Sequence, residues 1–195
     1  LKVLEMESGE NKWIDKSLAQ TEKLRDLVNS LVSLSRMDEE QSPLKMCDFS
    51  LSDAVSETVG SFADFAAVNG HMLTAEIAPE ILYHGDEYAI RQMVSTLLDN
   101  AVKYASDGSP IRLTLEKGKK GPVLRTVNCC EGLTQQQADK LFDRFYRVDQ
   151  SRTTRGFGIG LSMARSIAEG HKGSIKATCC EENKIEFTVS LGKCV

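Results

Sequence analysis

The stretch from Asp86 to Ala105 has the periodicity of a single amphipathic helix with an unusually broad apolar face. At about 100° per residue, one side of this helix collects a continuous set of apolar side chains. They are Ile90, Met93, Val94, Leu97, Leu98, Ala101 and Ala105. A face of this width is stable only when a second layer of secondary structure covers it. The segment therefore predicts a layered domain with this helix near its centre.

A polar strip runs along one flank of the same helix. Thr96, Asn100 and Lys103 stand at i, i+4 and i+7, so they share one side of the helix. An amide oxygen is a suitable ligand for Mg²⁺, and an ammonium group neutralises phosphate charge. A solvated helix face would show the same pattern, and these three residues alone do not separate the two interpretations.

Helical and extended patterns alternate around this helix. Another helix is predicted within 48–69 and a third at 161–169. Extended segments are predicted at 71–77, 111–117 and 123–127, with a closing hairpin of 174–179 and 184–191. This mixed order predicts an α+β fold, a two-layer α/β sandwich with helices on one face of a largely antiparallel sheet.

The N-terminal part has a separate helical pattern. Leu1–Glu7 has the pattern of a helix end, and Lys12–Glu39 that of a long helix. Its leucines recur at three- and four-residue steps, at Leu24, Leu27, Leu31 and Leu34. Such a stripe is buried either against a partner helix or against its own domain. The acidic, Pro-containing run that ends at Pro43 predicts a boundary, which gives domains 1–43 and 44–195.

Composition excludes several classes of protein. The net charge of −4 gives no electrostatic reason to expect nucleic acid or anionic membrane as a partner. No apolar run approaches the ~20 residues that span a bilayer. The six cysteines lack the C-x₂-C spacing of zinc sites, so free thiols are predicted.

The segment GFGIGL at 156–161 places Gly156, Gly158 and Gly160 directly before an apolar-periodic helix. Glycines let a backbone approach phosphate closely, and free amides at a helix start attract anions. A flexible turn is the alternative interpretation. The segment does not follow an apolar strand in a βαβ unit, which argues against a dinucleotide-binding loop.

Three ordered motifs resemble those of one protein family. RQMVSTLLDNAVKY (91–104) resembles the N box of bacterial sensor histidine kinases, LFDRFYRVDQSR (141–152) resembles their F box, and GFGIGLSMARSIAEGHKG (156–173) resembles their second glycine box. The resemblance implies the histidine kinase/gyrase-type ATPase fold, preceded by a helical-hairpin fragment. It also implies that 1–43 is part of the dimerisation and histidine phosphotransfer domain and 44–195 the catalytic ATP-binding domain.

The resemblance implies ATP and Mg²⁺ as ligands and a role for each matching residue. Asn100 would coordinate Mg²⁺, Lys103 would contact phosphate, Tyr104 would lie beside the nucleotide, and Arg147 would approach the γ-phosphate. Catalysis would depend on Asn100, Lys103 and Arg147. The remaining nucleotide-binding positions would be Asn128, Gly132, Phe142, Phe145, Gly156, Gly158, Gly160 and Leu161. The two phenylalanines would seat a mobile lid over 134–155.

The resemblance also implies the direction of the chemistry. Hydrolytic relatives carry a glutamate where this chain has Gln92, which cannot act as a base, so transfer to a protein acceptor is favoured over ATP hydrolysis. None of His71, His84 and His171 is followed by an acidic residue. The acceptor histidine is therefore expected upstream of Leu1, with this chain a fragment. The implied partners are that phosphotransfer helix, a response regulator and a second subunit. The implied location is the cytoplasmic side of a membrane-anchored sensor, without membrane contact by this fragment.

Three positions depart from the family pattern. Asn128 replaces the aspartate of D-x-G-x-G, although its amide still offers an acceptor to the adenine amino group. Cys130 replaces a glycine, which would cost ~1–2 kcal/mol if the backbone needs a positive φ. Thr96 replaces an asparagine. These departures leave a second hypothesis, a nucleotide-blind signalling or scaffold module that acts through helix-mediated association.

Overall fold

The computed structural model describes residues 44–148, 158–180 and 183–193, together with Trp13, Ser17, Leu18, Gln20, Thr21 and Leu24. Those six N-terminal positions are helical. The rest of the predicted helix 12–39, and the helix end at 1–7, lie outside the described residues. The domain boundary after Pro43 stays a prediction. No helix within the described ranges is both long and apolar enough to cross a membrane.

The described chain contains a regular succession of strands and helices. Its order is β1 Cys47–Ser50, α1 Leu51–Val68, β2 Leu73–Ile77, β3 Leu82–Gly85, α2 Glu87–Tyr104, β4 Ile111–Gly118, β5 Gly121–Cys129, α3 Gln135–Lys140, α4 Gly160–Gly170, β6 Ser174–Cys180 and β7 Lys184–Ser190.

Five strands form the main sheet in the order β2-β4-β5-β7-β6. The β2–β4 pair is parallel and the other three pairs are antiparallel. The prediction of a largely antiparallel sheet is confirmed. Burial alternates along β5 and β7 in steps of two residues, so the sheet buries one face. The helices cover that face, which gives the predicted two-layer sandwich.

A second, two-stranded sheet was not predicted. β1 and β3 pair antiparallel, with Cys47 opposite Gly85 and Ser50 opposite Leu82. The helix predicted within 48–69 is confirmed, and the residues just before it form β1. The helix begins at Leu51, and the Ser50 side chain caps it by accepting from the Asp53 amide at 3.2 Å.

The apolar face of α2 forms the centre of the core, as its periodicity predicts. Six of its seven predicted positions are at most 1% exposed: Ile90, Met93, Val94, Leu97, Leu98 and Ala101. Ala105 lies at the C-terminal cap and is only partly buried. Burying each large aliphatic side chain contributes ~1.5–3 kcal/mol, so this face accounts for much of the driving force for layering.

His171 joins the end of α4 to the start of α2. Its Nε2 accepts from the Asp86 amide at 3.0 Å, and its Nδ1 lies 2.7 Å from the Ile167 carbonyl, to which it donates. Asp86 in turn caps α2 by accepting from the Ala89 amide at 3.0 Å. The imidazole is 3% exposed. These contacts fix the two helices that border the functional site.

Candidate functional site

A cavity of about 500 Å³ opens between α2, the start of α4, the end of β5 and the segment after it. Nine of the twelve nucleotide-site residues predicted from the sequence line it. They are Asn100, Lys103, Tyr104, Asn128, Gly132, Arg147, Gly158, Gly160 and Leu161. Segments distant in sequence therefore meet at one concave surface of the size that small-molecule ligands occupy.

The polar strip of α2 faces this cavity. Thr96, Asn100 and Lys103 all line it. The Thr96 hydroxyl donates to the Gln92 carbonyl at 2.8 Å, so its proton is used within the helix. The Lys103 ammonium pairs with the Asp99 carboxylate at 2.6 Å. The strip therefore lines a concave surface, with Thr96 and Asn100 partly buried and Lys103 exposed.

Asp99 also lines the cavity, and the sequence interpretation missed it. Its spacing of four residues from Lys103 is the signal that could have identified the ion pair. The pair holds a negative charge beside the cation that is predicted to contact phosphate. Lys103 must therefore be shared with, or released from, Asp99 when an anion enters.

The glycines at the start of α4 permit close backbone packing. Gly158 has φ +71°, and a Cβ built there would lie 2.7 Å from the Tyr146 carbonyl oxygen. At Gly160 a Cβ would lie 3.1 Å from the Thr96 Cγ2. Within the described residues no side chain caps the start of α4 at Gly160, and amides left uncapped at a helix start attract anions. Gly156 lies outside the described residues.

Asn128 forms the buried end of the cavity. It is 2% exposed, and its Nδ2 donates to the Cys129 carbonyl at 3.1 Å. That bond fixes the orientation of the amide. The Oδ1 is buried and has no hydrogen-bond partner in the described chain. A buried acceptor without a partner can accept a hydrogen bond from a donor on a bound molecule.

Cys130 follows Asn128 by two positions and lines the same cavity. Its φ is not positive, so the backbone strain considered for a cysteine at this position does not arise. Burial raises the pKa of its thiol, and the neighbouring Cys179 raises that pKa further. Gly132, with φ +71°, retains the left-handed conformation that favours glycine.

The two F-box phenylalanines occupy different environments, and neither lines the cavity. Phe142 is 8% exposed and packs edge-on against Phe187, with ring centroids 6.2 Å apart. Phe145 is 59% exposed and has φ +66°. Of these two phenylalanines, Phe142 is an ordinary core aromatic and Phe145 is not.

The segment 134–155, predicted to be a lid, begins with a short helix that the sequence interpretation missed. α3 starts with a capping box, in which the Thr134 side chain accepts from the Gln137 amide and the Gln137 side chain accepts from the Thr134 amide. The Thr-x-x-Gln spacing was the available signal. Residues 149–155 lie outside the described part of the chain.

Several further lining residues were given no role in the sequence interpretation, although Leu141, Tyr146 and Val148 lie within the F-box segment. They are Glu131, Leu133, Leu141, Tyr146, Val148, Ile185 and Phe187. Within the described ranges no group of three or more His, Cys, Asp and Glu side chains is arranged to hold a metal ion. The oxygen-bearing side chains that line this cavity include the Asn100 amide and the Asp99 carboxylate, both of types that bind Mg²⁺.

A sandwich whose helices and sheet end enclose a cavity with the buried Asn128 acceptor and two cationic groups, Lys103 and Arg147, is the architecture of an ATP-binding catalytic domain. Residues 85–193 match the family model described as histidine kinase-, DNA gyrase B-, and HSP90-like ATPase. The chain belongs to this family. Membership implies that it binds ATP, and the predicted fold class is confirmed.

Individual proteins agree with this assignment. The sensor protein DltS of Streptococcus agalactiae is 30% identical over 192 residues, which cover 98% of this chain and 48% of DltS. The structure of ShkA in complex with AMPPNP shares the fold with a TM-score of 0.80 and 17% identity, covering 96% of this chain and 40% of ShkA. The histidine kinase ThkA, in complex with the response regulator TrrA, gives a TM-score of 0.76 at 19% identity, covering 98% and 55%.

These matches confirm the resemblance to sensor histidine kinases. The chain spans about half the length of the curated relative it matches.

Proposed function

We propose that this chain is the catalytic core of a two-component sensor histidine kinase, which binds ATP with Mg²⁺ and transfers the γ-phosphoryl group to a histidine outside the described residues. The observation that supports this most is the cavity itself. It has the buried, unpartnered Asn128 acceptor and the cations Lys103 and Arg147 on a single surface. A nucleotide needs both a hydrogen-bonding group for its base and positive charge for its phosphates.

The acceptor end fits an adenine base. The Asn128 Nδ2 is committed to the Cys129 carbonyl, which leaves Oδ1 to accept from the exocyclic amine of adenine. A guanine base would present a carbonyl oxygen at that position, and two acceptors would then face each other. Since the group is buried, an unmatched pairing would cost ~1–3 kcal/mol.

The opposite end suits a triphosphate. Lys103 and Arg147 supply positive charge, and the uncapped start of α4 supplies backbone amides. Asn100 lies on the same strip and would offer its amide oxygen to Mg²⁺. When bound, the metal would neutralise phosphate charge. Arg147 would stabilise the charge that develops on the transferring group.

The transfer itself needs an acceptor that this cavity does not provide. A ring nitrogen of the acceptor histidine would form the new bond to phosphorus while the bond to the ADP oxygen breaks. Gln92 cannot serve as a base, and its Nε2 lies 3.6 Å from the Met163 sulfur. A protein acceptor is therefore favoured over water. Residues 1–43 would be part of the phosphotransfer helices and 44–195 the catalytic domain.

The relatives indicate the wider setting of the proposed reaction. ShkA was solved with AMPPNP and ThkA with a response regulator. By analogy, this chain would bind ATP, act on a phosphotransfer helix of its parent protein and relay phosphoryl groups to a response regulator. The parent would be a homodimer anchored in the membrane, with this part in the cytoplasm.

Calorimetric titration with ATP and Mg²⁺ tests the binding step, with GTP as the matched control. ATP is expected to bind ~5- to 150-fold more tightly than GTP, and to stabilise the chain by ~2.7 kcal/mol at 100 times the dissociation constant. No heat and no stabilisation at millimolar ATP would instead support the nucleotide-blind scaffold.

The transfer step is tested by supplying a separate polypeptide that carries the acceptor helix. Arg147→Ala and Asn100→Asp should each lower the rate of transfer by at least ~10²-fold, since the first removes the positive charge proposed to face the γ-phosphate and the second adds a negative charge beside the phosphates. Unchanged transfer in both variants would refute these two roles.

A further inference from the structure

Cys130 places a nucleophilic side chain inside the cavity. We propose that Cys130 is a modification site, where small disulfides form a mixed disulfide that closes the base end of the cavity to nucleotide. The inference deepens the proposed function and rests on it. Among the described cysteines, Cys130 is the one that lines this cavity.

The backbone holds Cys130 in a fixed position beside Asn128. Its amide donates to the Asn183 carbonyl at 2.6 Å, which extends the pairing of β5 with β7 by one step. Asn128, two residues earlier, presents the buried Oδ1 that has no partner. Cys130 and the open acceptor of Asn128 therefore line the same cavity, two residues apart in the chain.

The neighbouring thiols are placed differently. Cys129 on β5 and Cys180 on β6 are the two strand neighbours of Lys184 on β7. Both cysteines lie on the face of the sheet opposite the buried one. Cys179 lies on the buried face, where its Sγ donates to the Leu133 carbonyl at 3.5 Å. These cysteines border the region without lining the cavity.

The chemistry is thiol–disulfide exchange. The Cys130 sulfur loses its proton to solvent and attacks one sulfur of the small disulfide. A new S–S bond forms, the original S–S bond breaks, and the leaving thiolate takes up a proton. One small disulfide is consumed and one free thiol is released, with no further oxidant. A reducing thiol reverses the reaction.

Cys130 selects small disulfides through the cavity that it lines, and not through an unusually acidic thiol. Burial raises the pKa of Cys130, and Cys179 raises it further, which keeps the thiolate fraction small near neutral pH. Exchange is therefore slow with reagents that do not enter the cavity. A small molecule held there beside the sulfur gains from proximity.

The adduct would occupy the space needed by the base. Cys130 stands where the family pattern has a glycine, so its unmodified side chain already adds atoms to this end of the cavity. A further substituent on the sulfur would lie beside Asn128 Oδ1. Nucleotide binding and modification should therefore exclude each other.

The test uses 2-hydroxyethyl disulfide, which is small and uncharged, on the whole chain and on Cys130→Gly. Peptide mass spectrometry locates the adducts, and calorimetry measures ATP affinity before and after treatment. Modified chain should bind ATP at least ~10-fold more weakly and recover with dithiothreitol. Prior saturation with ATP and Mg²⁺ should slow modification of Cys130 by a similar factor. Cys130→Gly, which keeps the other five cysteines, should bind ATP equally well before and after treatment.

Each outcome decides the matter. Modified Cys130 with unchanged ATP affinity, or equal loss of affinity in Cys130→Gly, would overturn the inference and leave the proposed function intact. An absence of adduct at Cys130 would also overturn the inference and leave the proposed function intact. If Cys130→Gly is unstable, Cys130→Ala replaces it as the control variant. Failure of the untreated chain to bind ATP would overturn both.

Discussion

The amide of Phe145 donates to the carbonyl of Gly158 at 2.9 Å, and both residues have a positive φ. A Cβ at Gly158 would lie 2.7 Å from the Tyr146 oxygen and 2.8 Å from the Phe145 carbonyl carbon. Two left-handed residues therefore pack backbone against backbone. The contact holds the F-box segment against the start of α4.

Gly158→Ala should be more destabilising than Gly132→Ala. Both glycines have φ +71°, so both variants carry the strain of a left-handed alanine, ~1–2 kcal/mol. At Gly132 a Cβ meets nothing within 4 Å, whereas at Gly158 it meets backbone atoms. Urea unfolding should show a larger loss for Gly158→Ala by at least ~1 kcal/mol. Equal losses would show that the packing around Gly158 relaxes freely.

Asp99→Asn should strengthen ATP binding. The Asp99 carboxylate holds the Lys103 ammonium at 2.6 Å and adds negative charge to the cavity. Its removal should lower the dissociation constant ~3- to 10-fold, equivalent to ~1 kcal/mol. Asp64→Asn makes the same change of net charge at an exposed position of α1 and serves as the calorimetric control. Weaker binding in Asp99→Asn would indicate that the carboxylate itself assists the ligand.

Arg91→Ala should loosen the packing of α1 against α2. The Arg91 guanidinium donates to the Ala54 carbonyl at 3.1 Å and to the Glu57 carboxylate at 2.8 Å, both on α1. It also donates to Glu87 on its own helix, and this carboxylate raises the pKa of Arg91. The expected loss is ~1–2 kcal/mol of unfolding free energy.

The matched control for Arg91 is Arg165→Ala. Arg165 pairs with Glu169 within α4 at 2.9 Å, and both side chains are about half exposed. Exposed i,i+4 pairs contribute only ~0.3–0.5 kcal/mol. Similar losses in the two variants, measured by the same urea titration, would contradict a specific role for the contacts between helices.

Cys130→Ala should make the chain less sensitive to alkaline pH. Burial raises the pKa of Cys130 in the folded chain, so the thiol ionises more readily after unfolding. This contribution to stability is complete below the unfolded pKa of ~8.5 and is lost as pH rises through the folded value. The parent chain should therefore lose more unfolding free energy than Cys130→Ala above that pH. Cys47→Ala, at an exposed thiol, should follow the parent.

Much of the fold could be predicted because its signals are local. The apolar face of α2, the alternation along β5 and the capping of helices depend on neighbouring residues. The strip of Thr96, Asn100 and Lys103 could be predicted for the same reason, since helical spacing puts it on one side. β1 and β3 could not, because each has four residues and pairs only with a strand far away in sequence.

The sequence by itself determined the family motifs, the layered architecture and the identity of most residues at the cavity. Tertiary structure alone decided how those residues are used. The Asn128 acceptor is open because the Cys129 carbonyl holds the other end of the amide. Phe145 is exposed while Phe142, three residues earlier, is buried against Phe187. Periodicity fixes which side of an element a residue occupies, whereas partners and burial depend on which elements pack together in three dimensions.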